Sequence, residues 1–217
     1  MNQAHEAARA LEEHLGREAV PALGWTTALN LVAPRRKTSA ASGDPSRLLS
    51  LVPAEMGHRD LQELVTLLEQ DGRPGKQTAT LLKLAKWWLM EVEEVVSRGT
   101  GGRRLGERAV TQLRKIPGIS QELADRIRLF ALGEPVPPVG RAALRVGCRH
   151  GLCELDSDFE EWQAWIRNWA EVAEVDLWQM TRWIDEVGAR WCGPQPHCEG
   201  CPLKTFLPAS GPREPES

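Results

Sequence analysis

Residues 113–124 read LRKIPGISQELA, and this stretch decides the fold that the sequence predicts. Its apolar residues stand on both sides of a Pro-Gly pair, which is typical of two short helices joined by a tight turn. Pro117 fixes the entry to the turn, and Gly118 lets the backbone approach another molecule closely. Ser120 can cap the second helix, whose free N–H groups and positive dipole end favour a phosphate. The stretch therefore predicts a hairpin between two helices that suits an anion.

Basic residues surround this predicted hairpin. Residues 99–150 include ten basic and four acidic side chains, a net charge of +6, whereas residues 151–187 include ten acidic and two basic ones, a net charge of −8. This segregation favours one surface for an anion, with two oppositely charged solvated faces as the open alternative. We expect contacts with a nucleic-acid backbone that do not depend on base sequence. The residues expected to make them are Arg114, Lys115, Pro117, Gly118, Ser120 and Arg126.

Three of the five cysteines lie within the ten residues CGPQPHCEGC, as Cys192, Cys198 and Cys201. Thiolates at such spacing bind zinc or an iron–sulfur cluster, so the segment predicts a metal site and not a disulfide framework. A complete site usually needs four ligands. The candidates for the fourth are His197, Cys148, Cys153 and an external ligand, and buried thiols without a metal are the alternative.

The rest of the chain has the 3.6-residue apolar period of helices, and alternating strand patterns are almost absent. We therefore expect an all-α protein. Residues 134–140 (EPVPPVG) should be an extended crossing between two subdomains, residues 35–46 a loop and residues 209–217 a disordered tail. Trp162, Trp165 and Trp169 recur at helical spacing and should pack in a core instead of stacking on bases. Helices are expected over residues 4–14, 24–32 and 78–96, after Asp60 and after Asp176.

The 217 residues have a net charge of −3 and 41% hydrophobic content, enough for one large or two small domains. The sequence shows no apolar run of the roughly 20 residues that a membrane span needs, and its start lacks the pattern of a signal peptide. We expect a cytoplasmic, nucleoid-associated monomer with no membrane contact.

The hairpin and the cysteines together resemble the endonuclease III superfamily of helix–hairpin–helix DNA glycosylases, from about Arg47 to Leu207. The resemblance implies a two-lobed all-α fold with double-stranded DNA between the lobes and a damaged base flipped into the cleft. A six-helix lobe with the hairpin would span residues 22–133, and residues 1–21 with 134–208 would form the second. The second lobe would hold a 4Fe–4S cluster on Cys192, Cys198 and Cys201, with zinc as the alternative.

The chain departs from the family at its chemical positions. Bifunctional members attack the sugar with a Lys after the hairpin, and that position is Glu122 here. The Asp that stabilises charge on the sugar falls on Gly140, and the fourth cluster Cys falls on Leu207. The glutamine wedge of the family falls near Arg35 and Arg36. Because the fourth cluster Cys is missing, we expect any cluster to be incomplete or labile.

These departures lead us to expect a DNA-binding protein of the base-excision-repair glycosylase type that is inactive or altered in chemistry. One alternative is an active monofunctional glycosylase that uses a displaced carboxylate, with Glu122, Asp125 and Glu134 as candidates. The other alternative is a metal-stabilised helical interaction module with no role on DNA.

Overall fold

The computed structural model describes residues 2–19, 23–35, 51–93, 105–154 and 156–213. The predicted all-α class is confirmed, since these residues form helices and turns and no strand beyond one isolated bridge between Cys192 and Pro196. No helix among them is long and apolar enough to cross a membrane. The α-helices are α1 (Asn2–Leu15), α2 (Trp25–Val32), α3 (Pro53–His58), α4 (Leu61–Gln70), α5 (Thr78–Trp87), α6 (Glu107–Arg114), α7 (Gln121–Arg126), α8 (Arg141–Arg149), α9 (Phe159–Val172) and α10 (Leu177–Arg190).

Short helical turns of other types complete the described secondary structure. Two of the helices continue as π-helical turns, α5 through Trp88–Val92 and α7 through Ile127–Ala131. A π-helical turn therefore interrupts the predicted helix over residues 78–96 after Trp87, and its residues 94–96 lie outside the described part of the chain. The 3-10 turns are Gly75–Gln77, Cys198–Gly200 and Lys204–Phe206.

The chain divides into two units. The central unit is Pro21–Glu134, and the terminal unit combines Met1–Val20 with Pro135–Ser217. Each unit has its own hydrophobic core. Residues 134–140 form no helix or strand.

Tryptophans are central to the core of the terminal unit, as predicted. Trp162 and Trp169 of α9 are only 2% and 6% exposed. Trp165 lies between them, with ring centroids 5.7 Å from Trp162 and 5.6 Å from Trp169. The indole N–H of Trp169 donates a hydrogen bond to the Ala4 carbonyl at 3.4 Å, which ties α1 to α9. These rings therefore bury apolar area and join elements distant in sequence.

Short polar side chains begin several helices, as the sequence predicts. The Asp60 carboxylate accepts a hydrogen bond from the Gln62 amide at 2.8 Å and so caps α4. Asp176 stands at the N-cap of α10, but its side chain makes no capping hydrogen bond there.

Two predicted irregular segments are described only in part. Of the expected loop at residues 35–46, the structure describes Arg35 alone. Of the expected disordered tail, it describes residues 209–213. The Arg213 amide donates to the Arg149 carbonyl at 3.0 Å, and its guanidinium pairs with Glu154 at 3.0 Å. These two contacts hold Arg213 against the end of α8.

The contact between α8 and α10 leaves no room for an added methyl group. A Cβ built on Gly188 of α10 would lie 2.4 Å from the Cβ of Ala142 in α8. We expect Gly188→Ala to lower the free energy of unfolding by about 1–3 kcal/mol through overpacking, although alanine favours a helix by about 1 kcal/mol. Urea denaturation should show this loss and its partial recovery in the double variant with Ala142→Gly. A stabilised single variant would contradict the described packing.

Candidate nucleic-acid interface

The apolar side chains of the hairpin anchor it in the hydrophobic core of the central unit. Leu113, Ile116 and Ile119 are 0%, 8% and 6% exposed, whereas Pro117 and Gly118 are exposed. The exposed Ser120 accepts a hydrogen bond from the Leu123 amide at 3.1 Å, so it caps α7 as predicted. The turn therefore presents backbone groups to solvent on a fixed apolar base.

A contact from α5, which the sequence pattern does not predict, sets the shape of the turn. The Thr80 hydroxyl donates a hydrogen bond to the Pro117 carbonyl at 2.9 Å. Gly118 has a φ of +90°, and a Cβ there would lie 2.6 Å from the Thr80 Oγ1. Glycine is therefore required at this position both by backbone conformation and by space. The sequence offers no local signal for Thr80, since it lies 37 residues before Pro117.

The arginines around the hairpin are engaged with carboxylates. Arg114 of α6 lies 3.3 Å from the Asp125 carboxylate, and Arg126 lies 3.0 Å from Glu122 one turn away on α7. Lys115 is exposed, and the described residues give it no ion pair. The predicted basic set is therefore partly neutralised within the central unit.

A second arginine completes the buried charge cluster. Arg128 bonds to Asp125 at 3.2 Å and to the Glu134 carboxylate at 2.7 Å. The other Glu134 oxygen accepts a hydrogen bond from the Leu105 amide. The side chains of Asp125 and Glu134 are 0% and 2% exposed, so both displaced-carboxylate candidates lie in a buried ion-pair network. Their contacts support a structural role.

The two family positions for chemistry lie in different units. Glu122 of the central unit has a side chain 38% exposed and paired with Arg126. Gly140 of the terminal unit is buried at the N-cap of α8, where its carbonyl accepts a hydrogen bond from the Leu144 amide. Gly140 therefore serves as the start of a helix and offers no side chain.

The basic segment at residues 99–150 is divided between the two units. Arg141, Arg145 and Arg149 belong to the terminal unit, while the other described cations of the segment belong to the central unit. Arg149 is 4% exposed and therefore unable to meet a large anion. Arg103 and Arg104 lie outside the described residues.

Arg35, in the region where the family has its wedge, is tied to a buried charge network. Its Nε donates to the Asp71 carbonyl at 2.9 Å. Arg73, with a side chain 1% exposed, bonds to the Asp71 carboxylate, to the Ala33 carbonyl and, at 2.8 Å, to the Asn30 side chain. The network fixes the end of α2 before Arg35. Arg36 lies outside the described residues.

The cysteine loop is anchored by arginines of α8. Arg145 donates to the Cys192 carbonyl at 2.6 Å. Arg149 donates to the Gly193 and Pro194 carbonyls at 2.6 and 2.8 Å and lies 3.5 Å from the Cys192 sulfur. Two cations that the sequence analysis grouped with the hairpin therefore hold this loop instead.

The three C-terminal cysteines lie in one short segment of the chain. Burial raises the pKa of the Cys201 thiol, and the charges of Cys192 and Cys198 raise it further, against a backbone hydrogen bond with Leu203. Yet the described part of the chain contains no group of three or more His, Cys, Asp or Glu side chains positioned to hold a metal ion. The three cysteines thus share one segment of the chain, and the described residues do not form a finished metal site.

The candidates for a fourth ligand differ in their surroundings. Burial raises the pKa of the Cys148 thiol, and Cys153 and Glu154 make smaller contributions in the same direction. His197 is exposed, and Leu207 has no ligating atom in its side chain. A metal site here would need a fourth donor that the described residues do not bring to the three thiols.

The buried carboxyl of Asp125 predicts a pH dependence of stability. Burial raises the pKa of Asp125 above 3.8, with Arg114 and Arg128 opposing the shift. The native protein therefore binds the proton of the Asp125 carboxyl more tightly than the unfolded chain does. The free energy of unfolding falls as the pH rises from the unfolded pKa towards the raised native pKa, where this carboxyl ionises. Relative to Asp125→Asn, the wild-type free energy of unfolding should fall above about pH 4 in urea titrations. A difference between wild type and Asp125→Asn that is independent of pH would contradict the raised pKa.

Several solved structures have a similar fold, although no family model and no curated protein matches the chain. A structure of a trapped endonuclease III–DNA covalent intermediate is 18% identical, with a TM-score of 0.60, over 94% of this chain and 95% of that one. A thermostable thymine-DNA glycosylase is 14% identical, with a TM-score of 0.62, over 95% and 96%. A non-covalent endonuclease III–DNA complex is 18% identical, with a TM-score of 0.54, over 93% and 91%. The predicted resemblance is confirmed at the level of fold: the chain has the all-α fold of endonuclease III and of this thymine-DNA glycosylase.

Proposed function

We propose that this protein binds the backbone of double-stranded DNA through its hairpin and is of the base-excision-repair glycosylase type. The observation that carries the proposal is the exposed turn at Pro117 and Gly118, which buried isoleucines and Thr80 hold in one shape. The turn belongs to a fold that also occurs in two endonuclease III–DNA complexes.

The turn suits contact with phosphates and not with bases. Gly118 is exposed, so a phosphate can reach the backbone of the turn, and the exposed Ser120 offers a hydroxyl beside it. Lys115 adds an exposed positive charge. Contacts of this kind position a duplex without reading its sequence, and their strength falls with salt.

This chain lacks the side chains that carry out the chemistry of the family. A carboxylate at Glu122 cannot form the imine that a lysine forms with the sugar. Gly140 offers no charge to stabilise a developing cation on the sugar. Asp125 and Glu134 are buried and paired with arginine, so neither supports a displaced active site. We therefore propose binding without strand cleavage by a lyase step.

A second candidate is base release by a monofunctional enzyme that uses Glu122. Its side chain is 38% exposed, which makes it the accessible carboxylate among the three displaced candidates. Its pairing with Arg126 at 3.0 Å, however, matches the ordinary role of an acidic residue in the first turn of a helix.

Base release and duplex binding, measured on the same substrates, separate these functions. The substrates are duplexes with oxidised, deaminated, alkylated or mispaired bases, treated with alkali so that base release alone still cuts the strand. We expect binding that weakens with salt and no base release. Base release lost in Glu122→Gln would support the monofunctional enzyme instead, and absence of binding at low salt would favour the interaction module. If chemistry alone is missing, the double variant Glu122→Lys with Gly140→Asp should gain it.

For the cysteine loop we propose a structural 4Fe–4S cluster on Cys192, Cys198 and Cys201, with zinc as the alternative. The support is the spacing of the three cysteines in the sequence and the anchoring of their loop by Arg145 and Arg149. When bound, such a group would order the loop after Cys192.

Leu207→Cys tests the missing fourth ligand. Because three thiolates leave one iron without a protein sulfur, we expect anaerobically purified wild-type protein to lose iron and visible absorbance in air. Leu207→Cys should retain both for longer, and Cys198→Ser should bind little metal even without air. Iron and zinc analysis before and after exposure measures these differences. An air-stable wild-type cluster would contradict the prediction, and a colourless protein with one zinc would establish the alternative.

A further inference from the structure

We infer that Lys83 of α5, together with Lys115, supplies the main phosphate-binding charge beside the hairpin, in place of the flanking arginines Arg126 and Arg128. The inference rests on the proposed DNA binding and deepens it. It adds a residue from a helix outside the hairpin, and it removes two cations of the hairpin region from the principal binding set.

Two hydrogen bonds join α5 to the first half of the hairpin. The Thr80 hydroxyl donates to the Pro117 carbonyl at 2.9 Å, and the Trp87 indole N–H donates to the Ala109 carbonyl at 3.0 Å. Thr80 and Trp87 therefore mark the line along which α5 contacts the turn and α6.

Lys83 stands next to that line. It follows Thr80 by three residues and precedes Trp87 by four, and residues at these spacings are neighbours on a helix surface. Thr80 and Trp87 are buried, whereas Lys83 is exposed. The lysine therefore borders the seam between α5 and α6, on the side of the helix that faces the hairpin.

The pairing of the cations decides which of them a phosphate can use. Arg126 is already 3.0 Å from a carboxylate, and Arg128, 14% exposed, is shared by two buried carboxylates. A phosphate would have to displace these partners, and a cation that is already neutralised adds little to the release of counterions on binding. The described residues give Lys83 and Lys115 no ion pair, so both present their full charge to solvent.

The salt dependence of duplex binding tests this assignment. For a fixed duplex, the dissociation constant of full-length wild type, Lys83→Gln, Lys115→Gln and Arg126→Gln would be measured over a range of salt concentrations. Each lost phosphate contact lowers the slope of log K against log salt by about 0.9. We expect this loss for Lys83→Gln and Lys115→Gln, on every duplex sequence, and a smaller change for Arg126→Gln.

Lys86→Gln is the matched control, since it removes the same charge from an exposed position of α5 that lies farther around the helix from Thr80. It should keep the wild-type slope. A wild-type slope in Lys83→Gln, or a loss in Arg126→Gln or Lys86→Gln as large as in Lys83→Gln, would overturn the inference. If the wild-type protein does not bind duplex at low salt, the proposed function itself fails, which is a distinguishable result. Thermal unfolding of each variant verifies that its fold is intact.

Discussion

The hairpin depends on the burial of one carboxylate between two arginines. Asp125 on α7 is fully buried, with Arg114 from α6 on one side and Arg128 on the other. Arg128 extends the cluster to Glu134, which in turn binds the backbone at Leu105. A buried charge is tolerated only when it is paired and hydrogen-bonded, so each partner in this chain of contacts holds the next in place. The two helices of the hairpin are thereby joined by charge as well as by apolar packing.

The same cluster limits what the hairpin can offer to a ligand. Arginines that pair with carboxylates inside the hairpin are less available at its surface. A count of basic residues in the segment therefore overstates the positive charge that faces an anion. The surface offers the backbone of the turn, together with Lys115 beside it and Lys83 on the neighbouring helix. The chain thus separates the residues that hold the hairpin from those that we propose contact DNA.

Arginines have a comparable role in the terminal unit. Arg145 and Arg149 bind three successive carbonyls of the cysteine loop, from Cys192 to Pro194. Polar backbone in a loop with little regular structure needs such donors. The loop is therefore anchored at its start by protein contacts alone, while its thiols lack a fourth partner among the described residues. In the terminal unit, arginines therefore anchor the loop in which the three cysteines lie.

The sequence by itself determined the local features: the all-α class, the turn at Pro117 and Gly118, the Ser120 cap and the burial of the tryptophans. Each follows from periodicity or from the conformational preferences of a few adjacent residues. Only the tertiary structure decided which arginines are neutralised and that Thr80 shapes the turn. Some of these contacts join residues far apart in sequence: Thr80 and Pro117 are 37 positions apart, and Arg213 and Glu154 are 59 positions apart. No local pattern encodes these long-range contacts, because helix packing sets them, whereas the pairs of Arg126 with Glu122 and of Arg128 with Asp125 lie within one helical turn.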